Sequence, residues 1–270
     1  MEDEKIKNIV REGYSKIASS NNGCGCGCSN VTTNKEISKA IGYSNDDLYS
    51  VPEGSNLGLG CGNPIALASL KEGETVLDLG SGAGFDAFLA ANRVGKSGKV
   101  IGVDMTPAMI SKARENALCE NYENVEFRLG ELEHLPVSDN TIDIIISNCV
   151  INLVPDKIQV FKEAFRVLKP GGRIMISDII LTKELPDFIR NSLISYIGCV
   201  SGAILKEEYK QKVKDIGFRQ VKIEEETKFS LDFIINNQEI LDFVEKNNIP
   251  SEKIKDIADN ILSIRLSAIK

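Results

Sequence analysis

The chain has 270 residues, of which 32 are basic and 39 acidic, for a formal net charge of −7. Hydrophobic residues make up 42% and charged residues 26%, a globular balance that excludes disordered or collagen-like structure, while the acidic excess argues against nucleic acid as a partner. No apolar run reaches the ~18 residues that span a bilayer, and Met1-Glu2-Asp3-Glu4-Lys5 is too charged for a signal peptide, so a cytoplasmic protein with no membrane partner is expected.

In chain order, Ile6, Ile9, Val10, Tyr14 and Ile17 mark an amphipathic helix, followed by a Gly/Asn/Cys-rich loop and a Gly/Leu-rich segment ending at Pro64. Residues 1–65 therefore read as an N-terminal extension packed over the mouth of a sheet. Residues 66–180 alternate β-branched runs with helical patterns, the signature of a parallel α/β sheet. Strands are expected at 75–79, 99–104, 125–129, 142–147 (buried on both faces) and 173–177. The intervening helices run from Phe85 to Val94, from the Thr106-Pro107 start toward Ala117, and from about Asp156 to Leu168, where Lys169-Pro170-Gly171-Gly172 stops the chain. Residues 181–270 supply covering helices (about 186–217), a sixth strand at 221–225, a mostly helical stretch at 230–259, and a last half-exposed strand. In that strand Leu262, Ile264, Leu266 and Ala268 alternate with polar residues. The expected fold is α/β and Rossmann-like: seven strands, mostly parallel, with an antiparallel final strand, a cysteine-rich N-terminal extension and a helical insertion after the fifth strand.

Asp78-Leu79-Gly80-Ser81-Gly82-Ala83-Gly84 joins the first strand to its helix, and Asp104 ends the second strand twenty residues past Gly84. Glycines there let the backbone turn tightly against a ligand, and an acid at the second strand's end suits ribose hydroxyls. A dinucleotide fold would carry G-x-G-x-x-G for its pyrophosphate; here the spacing is G-x-G-x-G, which favours a nucleoside cofactor without phosphates. The pattern resembles the class I S-adenosylmethionine-dependent methyltransferases. The likeness extends to Gly130-Glu131-Leu132-Glu133-His134-Leu135-Pro136 and Leu168-Lys169-Pro170-Gly171-Gly172, and covers roughly residues 70–180. It implies S-adenosyl-L-methionine as cofactor, with Gly80, Ser81, Gly82 and Gly84 along its amino-acid part. Asp104 would hold the ribose, Met105 would lie against the adenine, Glu131 and Leu132 would meet the adenine edge, and Asn148 would join the binding set.

There is one histidine, His134, read as an ordinary structural or surface residue, so methyl transfer here needs another base or a nucleophile requiring none. Seven cysteines, an odd number, point to free thiols and not to a disulfide scaffold. Cys149 follows the fourth strand and so faces the crevice at the sheet's carboxyl edge; Cys61 lies in a Gly-rich segment, Cys199 in a small-residue stretch after the fifth strand that could fold over that mouth, and Cys119 reads as a small buried hydrophobe. The segments around Val10–Ala18, Cys61, Ser147–Pro155 and Gly198–Ala203 are similar to those of the arsenite S-adenosylmethionine methyltransferases. That resemblance implies that Cys149 and Cys199 bind trivalent arsenic, that Cys61 is a further thiol in binding and redox, and that thioredoxin or glutathione resets the thiols. It also implies that arsenite, or arsenic conjugated to a thiol, is the substrate, with arsenic's own lone pair as the nucleophile. Soft thiolates prefer a soft centre, and placement alone can lower a barrier by about 7–11 kcal/mol. One of Cys24, Cys26 and Cys28 would match an N-terminal family cysteine, and the residues do not say which. The residues also leave open methylation of a small organic acceptor, a non-enzymatic metalloid-binding protein, and, more weakly, a dehydrogenase.

Overall fold

The computed structural model describes residues 2–19, 34–67, 69–186, 200, 202–228 and 250–270. Seven strands form one sheet in the order β3-β2-β1-β4-β5-β7-β6. They are β1 (Thr75–Leu79), β2 (Lys99–Asp104), β3 (Val125–Leu129), β4 (Ile142–Asn148), β5 (Leu168–Leu181), β6 (Arg219–Lys228) and β7 (Ile261–Ile269). The first five pair in parallel, and β7 runs antiparallel between β5 and β6. Among the described helices are α1 (Glu2–Ser19), α2 (Asn34–Ala40), α3 (Asn45–Tyr49), α4 (Pro64–Leu67), α5 (Phe85–Val94), α6 (Pro107–Cys119), α7 (Lys157–Val167), α8 (Lys206–Asp215) and α9 (Ser251–Asp259).

The central strands are apolar on both faces, and each face builds its own core. Leu77, Leu79 and Ile145 look toward α7, α8 and β7, whereas Val76, Ile144 and Ile146 look toward α5 and α6. Ile144, Ile145 and Ile146 are each fully buried, contributing about 1.5–3 kcal/mol per side chain to the driving force. The expected seven strands and antiparallel last strand are present. β5 and β6 run longer than the expected 173–177 and 221–225. β5 begins at Leu168, because Ile142 pairs with Leu168 and Ile144 with Arg173, so the Pro-Gly-Gly run is accommodated as a bulge with Gly171 at φ 79°. β7 is an interior strand of the sheet, and its alternate residues pack into a core on one face. The exposed, charge-rich edge is β6, the chemistry expected of a protected sheet edge. Cys24, Cys26, Cys28 and Cys199 lie outside the described residues, as do most of the expected 230–259 helical stretch and part of the insertion after β5.

Candidate active site

A parallel sheet leaves a crevice where its strands end and its order reverses, here between β1 and β4. The turn after β1 is drawn back onto the sheet: the N–H groups of Gly80 and Ser81 both donate to the Val103 carbonyl, at 2.8 and 3.0 Å. Gly80 and Gly84 sit at φ 69° and 97°, a region that side chains resist. A Cβ at Gly80 would lie 2.4 Å from Val150, and one at Gly84 2.6 Å from Phe88. Gly82, at φ 52°, has open space instead. The turn thus packs on one side and presents bare backbone to the cleft on the other, with the first amides of α5 behind it.

Asp104 faces this turn. Its carboxylate accepts from Thr106 N–H at 2.8 Å and Gly82 N–H at 3.0 Å, and burial raises its pKa. Met105 and Leu132 line the same cleft. Glu131 is turned toward α1, paired with Lys7 at 2.7 Å and Arg11 at 3.3 Å, while its neighbour Glu133 lines the cleft. His134 is exposed. Asp78 and Ser81 are buried in the floor, and Asp78 Oδ2 and Ser81 Oγ have no hydrogen-bond partner among the described residues. Buried polar atoms are normally satisfied, so this floor is shaped for a polar ligand. Burial and the nearby Asp86 and Asp104 hold the Asp78 carboxyl well above the usual carboxylate range. Four carboxyl groups (Asp78, Asp86, Asp104, Glu133) and one ammonium (Lys7) line the cleft. That lining disfavours a pyrophosphate, in keeping with the G-x-G-x-G spacing.

Cys149 takes the left-handed conformation, φ 58°, immediately beyond β4, and its N–H donates to the Ser177 carbonyl at 2.8 Å. Cys61 reaches it from the Gly-rich segment, and the two form a disulfide with Cα atoms 5.7 Å apart. The expectation of free thiols is therefore corrected for this pair: chain folding brings residues 88 apart in sequence within bonding distance, which cysteine counting does not reveal. Cys119 is free and exposed, not buried, because it ends α6 on the solvent side. Asn148 seats the Cys61 loop. Its Oδ1 accepts from Cys61 N–H at 3.1 Å, and its Nδ2 lies 2.8 Å from Gly62 O and 3.0 Å from Asp86 Oδ2. Tyr43 Oη donates to the other oxygen of Asp86 at 2.6 Å. Burial pushes Asp86 up to about 6, and the Tyr43 and Asn148 bonds oppose that rise.

Asp178, at the inner part of β5, brings a carboxylate oxygen to within 4.8 Å of both the Cys61 and Cys149 sulfurs. It is held by Asn152 Nδ2 at 2.8 Å, Ile179 N–H at 2.9 Å and Tyr209 Oη at 3.1 Å, and burial pushes its carboxyl up to about 7. Sequence reasoning missed Asp78, Asp86 and Asp178. Each had a readable signal, an acid inside or beside an otherwise apolar run; Tyr43, from the extension, had none. Cys199 lies outside the described residues, but Val200 beside it packs against the cluster containing Cys149. Gly202 sits so close to Asn152, in the short helical turn after β4, that a Cβ would fall 1.9 Å from its carbonyl oxygen.

A methyltransferase domain model matches residues 70–217. The chain is 50% identical over 244 residues to the arsenite methyltransferase of Halobacterium salinarum, covering 85% of this chain and 62% of that one. It is 35% identical over 233 residues to the human arsenite methyltransferase, covering 81% and 59%. In structure it is similar to an arsenic(III) S-adenosylmethionine methyltransferase from Chlamydomonas reinhardtii, with a TM-score of 0.64, 32% identity, and coverage of 87% of this chain and 73% of that one. The chain spans under two thirds of the length of these two curated relatives. On the domain match and these likenesses, the protein belongs to the arsenite methyltransferases, within the class I S-adenosylmethionine-dependent methyltransferases.

Proposed function

We propose that the chain methylates thiol-bound trivalent arsenic using S-adenosyl-L-methionine. The observation that carries this reading is that Cys149, bonded to Cys61, lines a cleft whose other wall is the glycine turn and Asp104. The unpartnered Asp78 Oδ2 and Ser81 Oγ fit the methionine end of the cofactor, with Gly80, Gly82 and Gly84 giving backbone access. Asp104 keeps lone pairs for the ribose hydroxyls, and Met105, Leu132 and the Glu131–Glu133 loop take the adenine. Bound there, S-adenosyl-L-methionine supplies a methyl group on a positive sulfur, which trivalent arsenic takes with its own lone pair and without a general base.

The chain's own residues bind and aim. In the reduced state Cys61 and Cys149 offer two thiolates to one soft atom, with Cys199 as a further ligand. Asn148 holds the Cys61 loop against the start of α5, so donor and acceptor sites keep one spacing. Transfer raises arsenic to the pentavalent state. Two electrons from the Cys61–Cys149 dithiol return it to the trivalent state and leave the disulfide, which a dithiol such as thioredoxin, or glutathione, reduces again. The test is incubation with arsenite, methyl-labelled S-adenosylmethionine and a thiol reductant. Labelled methylarsenicals are expected from the unmodified chain, with little from Cys149→Ser or Cys199→Ser. No labelled product, or full turnover by both variants, defeats the reading.

A further inference from the structure

The first helix contributes one ammonium, Lys7, to the cleft wall. Lys7 Nζ lies 2.7 Å from Glu131 Oε2 and 2.9 Å from Glu133 Oε1. Its side chain is 15% exposed, and that of Glu133 only 8%. The two acids stand two residues apart in the loop after β3. Among the described residues Lys7 is the only cation within ion-pairing distance of Glu133, and Arg11 adds a weaker contact to Glu131 at 3.3 Å. Lys7, Val10 and Tyr14 form one stretch of the cleft wall, and Val10 is 1% exposed. Removing the ammonium would leave a nearly buried carboxylate uncompensated and facing a second one, an arrangement that a loop relieves by moving.

We propose that Lys7 is a positioning residue for the nucleoside cofactor: by bridging Glu131 and Glu133 it fixes the adenosine-facing loop and locks α1 as the closing wall of the cleft. The proposal rests on the S-adenosylmethionine reading above. It makes cofactor affinity depend on an ion-pair bridge across 124 residues of sequence.

The test is calorimetric titration of the full chain with S-adenosylhomocysteine, together with hydrogen exchange of α1 in the ligand-free protein. Lys7→Gln is expected to weaken binding about three- to tenfold and speed exchange in α1; Lys7→Arg restores most of the affinity. Lys228→Gln, which breaks an exposed pair with Asp259, changes neither readout. Glu133→Gln serves as a second variant that weakens the same bridge without touching α1. Wild-type affinity and unchanged α1 exchange in both Lys7→Gln and Glu133→Gln overturn the proposal while leaving the cofactor reading intact. Failure of the unmodified chain to bind S-adenosylhomocysteine overturns the cofactor reading, and this proposal with it.

Discussion

Reduction of the Cys61–Cys149 bond should destabilise the fold strongly. The bridge closes a loop of 88 residues. In the chain-entropy treatment the lost unfolded-state freedom is about 2.1 + 1.5R ln 88 cal/mol/K, which at 25 °C is about 4.6 kcal/mol. For a chain of this size that corresponds to a fall in Tm of roughly 8 °C. The assay is urea unfolding followed by circular dichroism, with and without a dithiol reductant, on the unmodified chain and on Cys61→Ser. The unmodified chain should lose stability on reduction, and Cys61→Ser should match the reduced form and ignore the reductant. Arsenite added to the reduced chain should restore part of the loss by binding the folded dithiol. A reduced chain as stable as the oxidised one would refute the reasoning, because the unfolded ensemble would then gain no freedom from cleavage. An equal response from Cys61→Ser would refute it too, by placing the reductant's effect elsewhere.

Asp104→Asn removes the charged acceptor at the end of β2 and should weaken S-adenosylhomocysteine binding by about 1.5–3 kcal/mol, roughly 10- to 150-fold by calorimetry, with little change in Tm. Asp86 and Asp178 are raised to about 6 and about 7 in the folded chain from an ordinary 3.8. The stability they contribute is complete below about pH 3.8 and lost as pH rises through those folded values. Asp178→Asn should therefore gain on the wild type between about pH 4 and pH 7 in urea unfolding, by up to about 1.4 kcal/mol per pH unit; a constant difference between the two would argue against a perturbed Asp178. Gly202→Ala places a methyl group 1.9 Å from the Asn152 carbonyl oxygen and should cost about 3 kcal/mol, whereas Gly171→Ala has no neighbour to meet within 4 Å and costs only its φ of 79°.

Much of the fold was legible because its signals are local. β-branched runs, the Thr106-Pro107 start, and the helix end at Val167 before Pro-Gly-Gly act within a few residues, and the observed elements follow them. β5 ran longer than expected because the bulge that absorbs Pro170 to Gly172 depends on pairing with β4, a long-range fact. The site was legible where it sits on the chain's own punctuation. The glycine turn, Asp104 and Cys149 all stand at strand ends, and topology alone sends strand ends to the crevice. The Cys61–Cys149 bond, the approach of Asp178 and the Lys7 bridge join residues 88, 29 to 117 and 124 positions apart respectively. Distances of that kind are set by how the sheet folds, and no spacing rule along the chain carries them.

Asn148 shows why the two halves of the site are held as one. Its amide meets the Gly62 carbonyl and the Asp86 carboxylate, and its carbonyl receives the Cys61 N–H. Asp86 belongs to the first turn of α5, the helix that opens behind the glycine turn, and Tyr43 fixes it from the extension. Gly60 can be nothing larger without pushing against this amide, since a Cβ there would lie 2.6 Å from Asn148 Nδ2. The loop that brings the thiol and the helix that backs the cofactor turn are thus braced on a single side chain. In the reaction proposed above, which would ask the protein for alignment and not for a base, a misplacement of about 1 Å costs on the order of a hundredfold in rate. A rigid brace between the two reacting centres is what such a chemistry selects, and Asn148→Ala should show it as a fall in turnover larger than the fall in cofactor affinity.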